Sequence, residues 1–151
     1  MADALLIRPV QPSDADVWKR MREALWPSAP GEHAGEIARY FSGVRLDPAE
    51  VLLACLGSGA VVGFIELSIR SHAASCDPGR VAFVEGWFVN EDTRGRGVGA
   101  ALMAAAQEWG RANRCTELAS DAEIGNSGSI TAHRALGFAE VDRVVCFRKE
   151  I

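Results

Sequence analysis

A chain of 151 residues bounds one domain, 1–151, large enough to bury a single substantial core. Hydrophobic residues at 48% and charged residues at 24% are the balance of a soluble globular protein, and no repeat, low-complexity tract or interdomain linker interrupts it. A net charge of −4 argues against nucleic acid as a general partner and suits a cationic one.

No apolar run approaches the roughly 20 residues a membrane span requires. Asp3 near the start leaves no basic-then-apolar secretory pattern, so no membrane partner and a cytoplasmic location are expected. Cys55, Cys76, Cys115 and Cys146 are scattered without metal-ligand spacing. Free thiols and no metal site are the expectation.

Taken in order, residues 4–10 read as a first strand closed by a proline. Ser13 with Asp16 resembles an N-cap signal, and Val17, Trp18, Met21 and Leu25 recur at a helical period until Pro27 stops them. After the loop 28–32, a shorter helical pattern runs through Ile37, Tyr40 and Phe41. Residues 51–56 and 61–69 are β-branched and apolar, joined by Gly57-Ser58-Gly59 as a hairpin turn. In the second of these strands Glu66 points opposite a continuous apolar row. Residues 71–80 contain Asp77-Pro78-Gly79 and read as a loop.

Residues 81–89 read as a central strand with a plausible bulge at Gly86. A long helix then presents Val98, Ala101, Leu102, Ala105 and Trp109 on one face, its alanines suited to close packing on a sheet. Residues 115–119 read as a short strand ending in Ser120-Asp121. Asn126 starts a last helix that ends at Leu136, with Gly137 in the left-handed position and Phe138 packing back. Residues 139–141 and 144–149 read as two closing strands. This order argues a mixed α/β or α+β sheet with one cofactor-binding crossover.

The most specific chemistry lies in Thr93-Arg94-Gly95-Arg96-Gly97-Val98-Gly99, between a strand and a helix. A glycine-rich turn feeding a helix aims unpaired N–H groups and the positive end of the helix dipole at one point, which suits a phosphate. No Lys-Ser or Lys-Thr follows the last glycine, so it is not a Walker loop, and few βαβ units surround it for a dinucleotide fold. The loop alone is also compatible with a plain connecting turn.

Arg94, Gly97 and Gly99, as Arg-x-x-Gly-x-Gly, resemble the acyl-CoA pyrophosphate loop of the GNAT superfamily of N-acetyltransferases. The order of elements is similar over nearly the whole chain. That resemblance implies a mixed central sheet flanked by helices, with a splayed strand pair holding acetyl-CoA. It places the backbone around Phe88 and Val89 on the pantetheine arm and Arg94, Gly95, Arg96, Gly97, Val98, Gly99 and Ala100 on the pyrophosphate. Asn126 stands where the family often has a polar side chain reaching the cofactor; a helix cap is the other reading, and both roles are compatible. His133 stands four residues before Gly137, where many members have a tyrosine near the CoA sulfur. It is read either as a general acid or as a packed helix histidine.

Acetyl transfer needs a neutral amine, and a carboxylate can take its proton. Glu85, beside the bulge, and Asp121, at the end of the short strand, are the two candidates for that base. Each could instead bind a positive substrate, and Asp121 could cap a turn.

Leu25-Trp26-Pro27, His33 with Glu36, residues 85–89, Ala119-Ser120-Asp121 and residues 133–138 together resemble the aminoglycoside 6'-N-acetyltransferases. That subgroup implies a polycationic amino sugar as acceptor. It makes Trp26, Glu36, Asp77, Glu85, Asp121 and Glu140 candidates for the acceptor site, with a sugar ring stacked on Trp26. A core tryptophan at a helix end is the plainer reading of Trp26. Residues 71–75 lack the aromatic that the subgroup carries there. The relatives are dimers, often with C-terminal strands exchanged, so a homodimer is expected. Another amine acceptor (polyamine, amino sugar or protein N-terminus) and a non-catalytic acetyl-CoA sensor are the alternatives.

Overall fold

The computed structural model describes residues 3–29, 31–44 and 47–151. Its elements are β1 (Leu5–Pro9), α1 (Ala15–Leu25), α2 (Glu32–Ser42), β2 (Glu50–Leu56), β3 (Val61–Arg70), β4 (Val81–Val89), α3 (Val98–Ala112), β5 (Leu118–Ser120) and α4 (Ser127–Ala135). The strands form one sheet in the order β1-β2-β3-β4-β5, antiparallel up to β4 and parallel between β4 and β5. The fold is therefore a mixed α/β sheet, as the element order implied.

Period-two alternation gives each central strand two apolar faces. Val51, Leu53 and Phe64 meet Trp18 and Met21 of α1 and Ile37 and Tyr40 of α2. Leu52, Ala54, Ile65, Leu67 and Val84 meet Val98, Leu102, Met103 and Ala106 of α3. Fully buried side chains such as Leu102 and Met103 contribute roughly 1.5–3 kcal/mol each by removal from water. On α3 the buried line runs through Val98, Leu102, Met103, Ala106 and Gly110, with the expected Ala105 and Trp109 packed half-buried beside it; Ala100 and Ala104 face solvent. A Cβ on Gly110 would come within 3.1 Å of the Ala82 Cβ, so the helix rests closely on β4 there.

Three local expectations change. Ser13 makes no cap; the chain enters α1 through a 3-10 turn (Pro12–Asp14) in which Asp14 accepts from the Gln11 N–H at 2.8 Å and pairs with Arg8. The strand expected at 115–119 is only Leu118–Ser120, since Cys115 is spent closing α3, its N–H on Gly110 O at 2.9 Å.

The two closing strands do not form within the chain. Residues 139–151 are irregular, and Val141, Val144, Val145, Phe147 and Ile151 are exposed. The apolar, β-branched run 144–147 is a strand pattern, but a strand requires a sheet edge, and the tail does not return to β5. The C-terminus of α4 matches expectation: Gly137 has φ 89° and the Phe138 N–H reaches His133 O at 3.1 Å.

Candidate active site

The opening in the sheet starts where β4 and β5 part. β5 pairs with β4 through Ala82↔Leu118, Phe83↔Ala119 and Val84↔Ser120, and β4 continues alone to Val89. On its other side β4 bulges against β3: Glu66 faces Gly86 and Leu67 faces Val84, leaving Glu85 as the extra residue. The residues next after the last β4–β5 pair are Glu85 and Asp121, so each lip of the opening begins with a carboxylate. The Asn90 N–H turns to β3, bonding Val62 O at 2.8 Å. By strand alternation the Val89 N–H turns the other way, into the opening.

Beyond β4, a 3-10 turn (Glu91–Thr93) leads to the glycine loop. Gly95 and Gly97 have φ 78° and 82°, and nothing lies within 4 Å of where their Cβ atoms would be. The loop is exposed, and Gly97 precedes the first turn of α3 without a side-chain cap. The Ala101 N–H bonds Gly97 O at 3.0 Å, which leaves the earlier amides of the turn to a ligand, the donor set a pyrophosphate requires. Arg94 is anchored by Nε on Val89 O at 2.9 Å. Gly99 has a different reason for its missing side chain: a Cβ would meet Trp87 Cζ2 at 3.1 Å, and the Trp87 indole donates to Gly99 O at 3.2 Å.

On the α1/α2 side, Trp26 lies against β4 at the bulge. Its Cη2 would be 2.6 Å from a Cβ at Gly86. His33 stacks on the Trp26 ring at 6.3 Å, and its Nε2 bonds Trp26 O at 3.2 Å. Arg22, one turn before Trp26, lies with its guanidinium carbon 5.1 Å from the Trp26 ring centroid. It pairs with Glu36 of α2 and reaches the buried Glu66 of β3, Nε to Oε1 3.3 Å. Glu66 also accepts from the Trp18 indole at 2.9 Å. Burial pushes the Glu66 carboxyl up to about 7, while Arg22 and the Trp18 indole pull it down.

Glu85 is tightly held. Arg70 grips it with two bonds, Nε–Oε1 3.0 Å and Nη2–Oε2 2.8 Å, and the Ser68 hydroxyl donates to Oε1. Arg70 itself lies over the Phe83 ring at 3.5 Å. Asp121 is the opposite case: exposed, with no side-chain hydrogen bond or ion pair among the described residues.

The other face of the lip belongs to α4. Asn126 caps it, its side chain accepting from the Ser129 N–H at 3.1 Å, so the capping role is filled. His133 packs edge-on against Trp87 and Phe138. Its Nδ1 lies 2.7 Å from Ser129 O, which only accepts, so Nδ1 carries the proton. Nε2 then accepts from the Ser120 hydroxyl at 2.7 Å. The histidine is thus packed and also hydrogen-bonded to the last residue of β5.

Trp26, Glu36, Glu85, Gly86 and Phe88 belong to the α1/α2 side of the bulge, and Asp121 stands across the opening. Asp77 and Glu140 do not join them. Asp77 bonds Glu117 through its N–H at 2.9 Å, at the far end of β5. Glu140 is paired with Arg134 and Arg143, which hold its carboxyl below the usual range. Arg22, Ser68 and Arg70 were not singled out from the sequence; Glu66 stood out only as pointing opposite an apolar row, and Ser120 only as part of Ala119-Ser120-Asp121. The i, i+4, i+8 stripe Trp18, Arg22, Trp26 was a usable sign, because it puts a cation on the buried helix face. Among the described residues no group of His, Cys, Asp and Glu could hold a metal ion, and no helix is long and apolar enough to cross a membrane.

A splayed parallel strand pair, a bulged strand and a glycine loop opening a helix define an acyl-CoA-dependent acetyltransferase architecture. The acetyltransferase (GNAT) family model matches residues 18–138, and the chain belongs to that family. Within it, the chain is 48% identical to an aminoglycoside N(6')-acetyltransferase type 1 of Klebsiella aerogenes, covering 100% of both chains. It is 40% identical to the enzyme of that name from Stenotrophomonas maltophilia, covering 98% of this chain and 95% of the relative. The solved structure of AAC(6')-Iy in complex with the bisubstrate analogue CoA-S-monomethyl-acetylneamine superposes with a TM-score of 0.87 at 35% identity, covering 98% of this chain and 99% of that one.

Proposed function

We propose that this protein transfers the acetyl group of acetyl-CoA to the 6'-amino group of aminoglycosides, an activity that confers resistance to them. The observation that carries the reading is the pair of carboxylates opening the strand split, Glu85 held and Asp121 free. The relatives named for this activity, at up to 48% identity among those described, support the acceptor class. Acetyl-CoA supplies the thioester, and the glycine loop with the Val89 N–H is suited to its pyrophosphate and carbonyl oxygen.

The assignment of roles follows from the hydrogen bonding. Glu85, committed to Arg70 and Ser68, orients a cationic group of the acceptor. Asp121 takes the proton lost by the amine as its nitrogen bonds the acetyl carbon and the carbon–sulfur bond breaks. The thiolate is reprotonated from the His133 side. With Nδ1 already engaged by Ser129 O, the proton comes from solvent, taken up on Nε2 as the Ser120 hydroxyl gives its own proton onward, or goes to the thiolate directly. Trp26 and Glu36 form the wall for the sugar.

The protein works as a homodimer in this reading. The exposed apolar tail, Val141 to Ile151, supports it, and so does a cavity lined by Ala82, Cys115, Leu118, Leu136 and Phe138 along the β5 edge that the tail leaves uncovered. Light scattering of the purified chain, with and without residues 141–151, tests this: a dimer that the deletion converts to a monomer is expected. Four free cysteines suit the reducing cytoplasm, where acetyl-CoA is made.

The functional test is release of CoA thiol on adding kanamycin or tobramycin, with the acetylated position located by NMR. CoA release at the 6' nitrogen is expected. Turnover only on polyamines or peptide N-termini would move the enzyme to another acceptor, and tight acetyl-CoA binding without turnover on any amine would make it a sensor.

A further inference from the structure

Arg22 has no part in the chemistry assigned above, yet it is among the most deeply placed cations of the protein, 6% exposed. Three of the features around the acceptor side converge on it. Its Nη2 holds the Glu36 carboxylate, its guanidinium carbon lies over the Trp26 ring at 5.1 Å, and its Nε stands 3.3 Å from Glu66. Among the described residues, its Nε and Nη1 are buried with no hydrogen-bond partner, so the contact with Glu66 is an ion pair only. Removing a guanidinium from water is costly, and an apolar residue in its place generally serves stability as well or better. A half-satisfied buried cation is therefore poorly explained by stability alone.

We propose that Arg22 is a positioning residue of the acceptor site, fastening Glu36 and Trp26 to the sheet through Glu66. The inference rests on the aminoglycoside reading, in which those two side chains face the sugar. Glu36 is 37% exposed at its side chain; without Arg22 it is an ordinary surface glutamate, free to leave the geometry that meets an ammonium group. Trp26 has His33 stacked on it, Phe64 edge-on to it and Arg22 on its face, with its own edge resting at Gly86, and Arg22 is the charged one of these supports. Loss of the cation lets the indole drift while α1 remains packed through Trp18 and Met21. The anchor is rigid because Glu66 is buried at 2% exposure on a central strand and is hydrogen-bonded by Trp18. None of these contacts touches the glycine loop, so acetyl-CoA should be indifferent to them.

The test is steady-state kinetics with kanamycin and acetyl-CoA on the full chain, comparing wild type, Arg22→Met, and the double variant Arg22→Met/Glu66→Leu. The double variant leaves no lone charge in the core, so it is expected to fold even if the single one does not. In each folded variant the kanamycin KM should rise about tenfold or more, as for a lost charge-assisted contact. The acetyl-CoA KM should stay within about twofold, and Glu36→Gln in the Arg22→Met background should add little because the two act as one unit. An unchanged kanamycin KM in the folded double variant overturns the proposal, and so does an equal rise in both KM values. A wild-type protein that binds acetyl-CoA but acetylates no aminoglycoside overturns the acceptor reading itself, and the positioning role with it.

Discussion

Glu85 and Asp121 stand at the same level on two parallel strands that have just separated, one residue beyond the last pair, Val84 and Ser120. Their surroundings divide the labour between them. Glu85 has Arg70 on both oxygens and Ser68 on one, so its oxygens are already engaged by donors of the protein. Asp121 is open to solvent and to whatever enters the split.

Asp121→Asn should therefore lower kcat by about a hundredfold or more, the usual weight of a positioned general base. Because the side chain is exposed and has no hydrogen bond or ion pair among the described residues, melting temperature and acetyl-CoA affinity by calorimetry should not change. Turnover within a few-fold of wild type would remove Asp121 from proton transfer.

Glu85→Gln should separate the two kinetic constants in the other way. The amide keeps one acceptor for Ser68 or Arg70 but loses the charge that attracts an ammonium. The acceptor KM should rise about tenfold, in line with loss of a charge-assisted bond, with kcat falling much less. A kcat collapse matching that of Asp121→Asn would identify Glu85 as the base.

The seat of Trp26 gives a steric prediction. A Cβ at Gly86 would lie 2.6 Å from Trp26 Cη2 and 2.9 Å from Cζ2, so Gly86→Ala must push the indole off the bulge. The atom that yields is the far end of a side chain, so the sheet should survive and the melting temperature should fall only modestly. Acceptor KM should rise, with acetyl-CoA KM unchanged. A variant indistinguishable from wild type on kanamycin would show that the sugar does not use this face of Trp26.

How legible was all this? The period of the apolar residues located nearly every helix and strand, and β4 ran from Val81 to Val89 as expected, because those boundaries are set by local pattern. The bulge was visible as a glycine inside an apolar run, but its consequence was not. That Glu85 becomes the unpaired residue and comes level with Asp121 depends on register between strands far apart in sequence. Asn126 capped as read, from the local signal alone. Arg22 was missed, and Glu66 stood out only as a charge opposite an apolar row, because the two are buried by meeting each other across the α1–β3 interface, which neither stretch shows by itself. The closing strands failed in a different way. The apolar, β-branched run 144–147 states that the tail prefers to pair, and says nothing about which edge receives it.

Glu66 carries the last prediction, a dependence of stability on pH. Burial raises its carboxyl from the ordinary 4.5 to about 7 in the folded protein. Between those values the native state holds a proton that the unfolded chain has released, so unfolding loses a proton and stability falls as pH rises through this window. Below about 4.5 both states are protonated, and above about 7 neither is, so the cost is complete there. Glu66→Gln, which still accepts from Trp18, removes the titration. Its melting temperature relative to wild type should climb between about pH 5 and pH 7 and then level off. Thermal melts of the two proteins across that range measure the difference. A difference that stays flat, or one in which wild type gains on the variant as pH rises, would mean that Arg22 holds Glu66 ionised throughout and that burial is not the dominant influence on it.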